Sequence, residues 1–199
     1  MHKPIILIGG TAGTGKTTLA QELCDRLHID HRLGTGFIRE VIKSQTIKER
    51  DPSLFEYTFR ADDPVVNFVT QSEIIYSAVN ACIDRAKREG TSLIIEGNHL
   101  IPQLYFMSDV NLYVVLSAPD FETHQQQLRG LTHTTRILSP SDIHNIREIG
   151  SYLGKECSRL SIPFIPYPSN INDLLGMILS IPFIPYPSNI NDLLGMIRW

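Results

Sequence analysis

Short, uninterrupted apolar runs alternate along this chain with longer stretches whose apolar residues recur every three or four positions. Ile5-Ile6-Leu7-Ile8 is the first run, and Leu19, Ala20, Leu23 and Leu27 then keep helical spacing. A shorter second strand is expected over residues 29–33, after which Gly34-Thr35-Gly36 leads into a helix with apolar positions 37, 38, 41 and 42. That spacing puts Arg39 on the opposite side, toward solvent or a cleft. From 47 to 63 the pattern is irregular, with Asp51-Pro52-Ser53 and Asp62-Asp63-Pro64 as turn or cap signals and one short helix expected around 54–59. Asp63 caps and Pro64 starts a long helix, striped by Phe68, Ile75, Val79, Cys82 and Ala86 and ending before Gly90.

Residues 92–97 read as a third strand, apolar as a parallel sheet covered on both faces requires, with Glu96 at its end. Residues 110–116 repeat the pattern as a fourth. Asp120 caps a polar helix that reaches Leu128, and Ser139-Pro140-Ser141-Asp142 is a capping box ahead of a helix over 140–159. Ile162-Pro163-Phe164-Ile165-Pro166 supplies a last strand, which its two prolines assign to an edge. Strands alternating with helices define an α/β fold, a parallel sheet between two helical layers.

The first strand-to-helix junction carries the chemistry. Gly10-Thr11-Ala12-Gly13-Thr14-Gly15-Lys16-Thr17 fits G-x-x-x-x-G-K-[ST], with the strand before it and the helix after it that the pattern needs. Its glycines let backbone N–H groups turn inward around a polyphosphate, and the following helix presents its positive end to the same anion. These residues and Thr18 are the expected ATP cradle; Lys16 reaches the β- and γ-phosphates and the Thr17 hydroxyl ligates Mg²⁺. In such a sheet ligands bind beyond the carboxyl ends of the strands, which makes Glu96 the second candidate Mg²⁺ ligand. Arg129 and Arg136 flank a segment, 129–139, expected to act as a lid, where guanidinium groups suit phosphate. Arg39 and Arg60 are candidates for an anionic acceptor, Arg39 the better one because Thr35 and Gly36 stand just before it. His99, three residues after Glu96, is a further candidate at the substrate or in proton transfer.

Composition narrows the partners. The 199 residues are 42% apolar and 20% charged, ordinary for one globular domain. A formal charge of −3 argues against a nucleic-acid face spread over the surface. Three separated cysteines with no C-x-x-C imply reduced thiols, no structural zinc and a cytoplasmic setting. The first apolar run is too short for a signal sequence, and no stretch reaches the roughly eighteen residues of a membrane span. Residues 160–178 recur letter for letter as 179–197, so one domain is expected over 1–178 with a dispensable second copy behind it. That copy is a candidate for extending the sheet or swapping into a neighbour to form an oligomer.

Residues 10–17, the turn Gly34-Thr35-Gly36-Phe37-Ile38-Arg39-Glu40, Asp51-Pro52-Ser53-Leu54, the stretch 89–100 and Ile146-Arg147-Glu148-Ile149 together resemble the 2-phosphoglycerate kinase family, over residues 4–170. The Thr-Gly-x-x-x-Arg element is also similar to the monophosphate-binding turn of adenylate kinase. The resemblance implies a P-loop NTPase fold of the nucleoside-monophosphate-kinase-like group, five strands in the order 2-3-1-4-5. It further implies ATP- and Mg²⁺-dependent phosphorylation of the 3-hydroxyl of 2-phosphoglycerate to 2,3-bisphosphoglycerate. The expected transfer is in line: Arg39 holds the acceptor's phosphate, Arg129 or Arg136 closes from the lid, and Glu96 is the one well-placed base. Two departures stand out: Ile101-Pro102-Gln103 where the family has Pro-Gly, and fewer lid arginines. Two other readings stay open, a nucleoside monophosphate or other small-molecule kinase and a regulatory ATP-binding module without transfer. A small phosphorylated molecule is the expected partner, with neither nucleic acid nor membrane.

Overall fold

Six consecutive buried residues, Ile5–Gly10, form β1, the middle strand of a computed structural model that describes residues 3–129 and 137–167. In chain order follow α1 (Lys16–Leu27), β2 (His31–Gly34), α2 (Thr35–Lys43), two 3-10 turns (Pro52–Phe55 and Thr58–Arg60), α3 (Pro64–Glu89), β3 (Leu93–Glu96) and α4 (Pro102–Tyr105). The chain then adds β4 (Leu112–Leu116), α5 (Phe121–Leu128), α6 (Pro140–Leu160) and β5 (Phe164–Ile165). The strands make one parallel sheet ordered β2-β3-β1-β4-β5, the order the family resemblance implied. Parallel neighbours need crossovers, and the helices provide them.

Alternation along the strands sorts the core into two halves. Ile6 and Ile8, Ile94, and Leu112, Val114 and Leu116 face Leu19, Ala20 and Leu23 of α1. Ile5 and Leu7, Leu93 and Ile95, and Tyr113 and Val115 face the other way, onto α3 and α6. Each such side chain stabilises the fold by about 1.5–3 kcal/mol when fully buried. A strand covered on both faces therefore has no polar position to spare, and β1, β3 and β4 read as continuous apolar runs.

The helix ends form as their local sequences dictate. The Asp63 carboxylate accepts from the Val66 N–H and Asp120 from Thr123, while Ser139 and Asp142 complete a reciprocal capping box. Three expectations are corrected. The α3 stripe passes through buried Ile83, with Cys82 only partly covered. In α2, Ile38 and Ile42 pack on the core, whereas Phe37 and Val41 are 82% and 65% exposed and Arg39 turns inward. A helix advances about 100° per residue, so 38, 42 and 39 share one face and leave 37 and 41 outside it. The single helix expected at 54–59 is two 3-10 turns because side-chain amides take its carbonyls. Gln71 bonds those of Ser53 and Glu56, Asn67 those of Tyr57 and Thr58, and Asn145 that of Phe59.

The strand register lines Gly34, Glu96 and Ile8 up in one row, so the loops after β1, β2 and β3 leave the sheet at one edge. β5 pairs Phe164 and Ile165 with Val115 and Leu116, and so comes from the first copy of the duplicated segment. The second copy, 179–197, and most of the expected lid, 130–136, lie outside the described residues. Among the described residues no helix is long and apolar enough to cross a membrane. Since the fifth strand among the described residues comes from the first copy, a chain lacking 179–197 should unfold cooperatively with a Tm within a few degrees of the parent. Loss of cooperative unfolding in that truncation would assign the structural place to the second copy.

Candidate active site

The loop between β1 and α1 closes around one carbonyl. The Thr14 hydroxyl donates to the Thr11 carbonyl at 3.0 Å, and Lys16 Nζ donates to the same oxygen at 2.5 Å from a side chain that is almost wholly buried. Gly15 ends the loop in the left-handed region at φ 88°, with the Tyr167 ring lying against its Cα, so neither backbone nor space admits a side chain there. No side chain caps α1, which leaves the amides of its first turn directed at the loop. Thr17 and Thr18 stand exposed in that turn.

A brace holds the loop from behind. His124 of α5 bonds the Ala12 carbonyl through Nε2 at 2.8 Å, while its Nδ1 lies 3.3 Å from Arg147 Nη1. A carbonyl and a guanidinium fix the tautomer: Nε2 carries the proton and Nδ1 accepts. Burial, with Arg147 and Lys16 adding to it, lowers the His124 pKa and keeps the ring neutral. Arg147 also donates to the Pro119 carbonyl at 3.1 Å. Leu128, at the end of α5, packs on Gly13, and Arg129 follows it on the exposed surface beside the loop.

At the mouth of the loop the Thr17 hydroxyl donates to Glu96 Oε1 at 3.2 Å, across 79 residues of sequence. One hydroxyl and one carboxylate oxygen are hard donors that suit Mg²⁺, which takes few protein ligands and completes its shell with phosphate and water. Among the described residues no group of three or more His, Cys, Asp or Glu gathers to hold a metal unaided. The pair therefore fits an ion delivered with a nucleotide.

Beyond Glu96 lies the side expected to receive the acceptor. Thr35 begins α2 and its hydroxyl sits 3.1 Å from His99 Nδ1; His99 Nε2 in turn is 3.2 Å from Gln71 Oε1. Gly97, at φ 153°, passes so close to the Thr35 hydroxyl that any Cβ would overlap it. Gly36 is open on the helix surface. Arg39 bonds Glu40 at 2.6 Å and the Glu56 carbonyl at 3.4 Å, while its Nε is buried with no hydrogen-bond partner among the described residues. Arg60 is tied to the start of α6, its Nε and Nη2 on the Asp142 carboxylate at 3.2 and 3.1 Å and Nη2 on the Ile137 carbonyl at 2.8 Å. Arg136 lies outside the described residues.

The structure thus brings together Lys16, Thr17 and Glu96, sets Thr35 and Arg39 beside them, and anchors Arg60 elsewhere on an acid. A small cavity lined by Thr11, Ala12, Thr58, Phe59, Asn98 and Ile146 separates the loop from the 52–60 turns. The buried Thr11 hydroxyl, without a hydrogen-bond partner among the described residues, belongs to its lining. Asn98, Gln71 and His124 had no assigned place in the sequence reading. Asn98 stands inside the motif that named its neighbours Glu96 and His99, but nothing marks Gln71 or His124 within their helices.

Loop, sheet order and flanking helices define a P-loop fold of the kind small-molecule kinases use, and the comparisons agree. Shikimate kinase from Acinetobacter baumannii, solved with shikimate, superposes with a TM-score of 0.57 over 89% of this chain and 94% of that one, at 15% identity, a likeness of fold. An AAA domain family model matches residues 6–145, and the chain belongs to that family. Curated homologues of the chain include 2-phosphoglycerate kinases, which bears out the motif resemblance. That of Methanopyrus kandleri is 30% identical over 180 residues, 81% of this chain and 55% of that protein. Those of Methanocaldococcus jannaschii and Pyrococcus horikoshii are each 33% identical over 81% of this chain, covering 57% and 58% of those proteins. The chain spans a little over half the length of these relatives.

Burial, and then the nearby Arg39 and Lys16 cations, push the pKa of His99 down to about 3. An unfolded histidine titrates near 6.5, so the folded state binds fewer protons between these values. Its stabilising contribution is whole above pH 6.5 and is lost as pH falls toward 3, by about 1.4 kcal/mol per pH unit. Urea melts at pH 7 and 5 should show the parent losing about 2 kcal/mol more than the H99N variant, from the same linkage. Equal losses would show that the ring is not held neutral.

Proposed function

We propose that this chain transfers the γ-phosphoryl group of ATP to a small phosphorylated hydroxy acid, with 2-phosphoglycerate, giving 2,3-bisphosphoglycerate, as the best candidate. The observation that carries this reading is the Thr17–Glu96 hydrogen bond at the mouth of the phosphate loop, with the Thr35–Arg39 turn alongside. The names of the curated homologues support the acceptor.

Loop amides and Lys16 would hold the β- and γ-phosphates, while Thr17 and Glu96 would hold Mg²⁺, which when bound would supply charge neutralisation. Arg39, whose Nε has no hydrogen-bond partner among the described residues, takes the acceptor's phosphate and aims its hydroxyl along the line of transfer. That hydroxyl oxygen bonds to the γ-phosphorus as the bond to the β,γ-bridging oxygen breaks. Its proton passes to Glu96, the carboxylate nearest the turn. Arg129 and Arg136 add positive charge from the lid side, and the hydroxyls and amide of Thr11, Thr58 and Asn98 suit the polar body of a small acid.

The decisive assay is ADP release with Mg-ATP across 2-phosphoglycerate, 3-phosphoglycerate, AMP, CMP, shikimate and gluconate. A response to 2-phosphoglycerate well above the others is expected; a larger response to AMP or CMP would transfer the chain to the nucleotide kinases. Replacing Lys16→Met should remove transfer with the Tm unchanged, and retained turnover in that variant would end the mechanism. T17A should raise the Mg²⁺ concentration for half-maximal rate at least tenfold, whereas E96Q should cut kcat by about 10²–10⁴ as a lost base does. Unaltered Mg²⁺ dependence in T17A would remove its hydroxyl from the metal's shell.

A further inference from the structure

Gln71 is wholly buried in the first third of α3, and two segments of the acceptor side, the 53–56 turn and His99, meet at its amide, with a third reached through His99. Nε2 donates to the Ser53 carbonyl at 2.5 Å and the Glu56 carbonyl at 3.0 Å. Oε1 meets His99 Nε2, and His99 Nδ1 meets Thr35 Oγ1. Carbonyl oxygens only accept, so the amide's orientation follows, and with it every proton along the line. His99 donates to Gln71, and the Thr35 hydroxyl donates to His99. Arg39 Nη1 reaches the same Glu56 carbonyl that Gln71 holds.

The core alone does not ask for this residue. Phe68 and Ile75 flank position 71 on the inward stripe of α3, and an apolar side chain there would add to the same cluster. A glutamine instead makes its neighbours depend on one geometry, since a buried polar line that loses one member leaves the others unsatisfied. Both ends of the line bear on the acceptor. One end is the 52–60 wall on which Arg39 rests; the other is the Thr35 turn, in register with Glu96.

We propose that Gln71 is a positioning residue for the phosphate acceptor, setting the Arg39–Glu56 wall by its own amide and the Thr35 turn by way of His99. The proposal rests on the reading that the Thr35–Arg39 turn receives the acceptor. Gln71 touches no substrate. It fixes the separation between the guanidinium that grips the acceptor's phosphate and the carboxylate that takes its proton, where an error of about 1 Å costs on the order of 10²-fold in rate.

Two variants of the full chain divide the line. Q71E sets a carboxylate against the two carbonyl oxygens that the amide held, so the side chain must leave its place and the wall and His99 lose their common anchor together; H99Q keeps a donor for Gln71 but releases Thr35. In Q71E the KM for 2-phosphoglycerate should rise at least tenfold with the KM for ATP within twofold. KM values that rise together, or an unchanged acceptor KM, would overturn the proposal. Amide hydrogen exchange gives a readout that needs no acceptor. Q71E should speed exchange at least tenfold in both 51–60 and 34–39 with residues 16–27 still protected, and H99Q should do so in 34–39 alone. If the parent turns over no phosphorylated acid, the functional reading falls and exchange decides the line by itself: acceleration confined to 51–60 in Q71E refutes the coupling. Should Q71E fail to fold, H99Q decides, and unchanged exchange at 34–39 in that variant refutes it equally.

Discussion

The row that crosses the sheet through Gly34, Glu96 and Ile8 governs the rest of this molecule. Ladder hydrogen bonds fix which residues share a row, and alternation fixes which face each side chain takes. A shift of β3 by one residue would turn Glu96 into the core and an isoleucine toward the nucleotide. The apolar residues behind that row are what prevent it. Ile94 and Ile95 are each fully buried on opposite faces, so slippage would exchange the packing of both helical layers at once.

Upon that fixed edge the loops are made firm by polar contacts reaching in from distant helices. His124 holds the nucleotide loop by the Ala12 carbonyl, and the amides of α3 and the Asn145 amide of α6 hold the 52–60 turns by theirs. Backbone carbonyls are good anchors because each has lone pairs left over wherever regular structure ends. His99 and His124 stay neutral between cations that could not tolerate a third. Lys16 likewise donates to a carbonyl, that of Thr11.

What the sequence made readable is what is decided locally. β1, β3 and β4 announce themselves because two-sided burial leaves no polar position, and the caps at Asp63, Asp120 and Ser139 because they act over three residues. The phosphate loop belongs with them, its eight residues carrying their own geometry. Other features depend on partners far along the chain. Phe37 and Val41 make as good an apolar stripe as Ile38 and Ile42, and only the neighbouring α3 chooses between them. The break of 52–60 into two turns is imposed by side chains of residues 67, 71 and 145, and the contact of His124 with Ala12 spans 112 residues. No periodicity encodes such pairs.

Tyr167 lies on Gly15 and reaches Glu22, 145 residues earlier in the chain. The nucleotide loop is thus completed only when the fifth strand of its sheet arrives, 145 residues of synthesis later. The sequence then offers that strand twice, at 160–178 and at 179–197. At about 5–20 residues per second the earlier copy emerges roughly 1–4 s ahead of its twin, long against the microseconds in which adjacent chain segments pair. Two identical segments that compete on equal terms in a refolding tube do not do so during synthesis, where the order of birth favours the first.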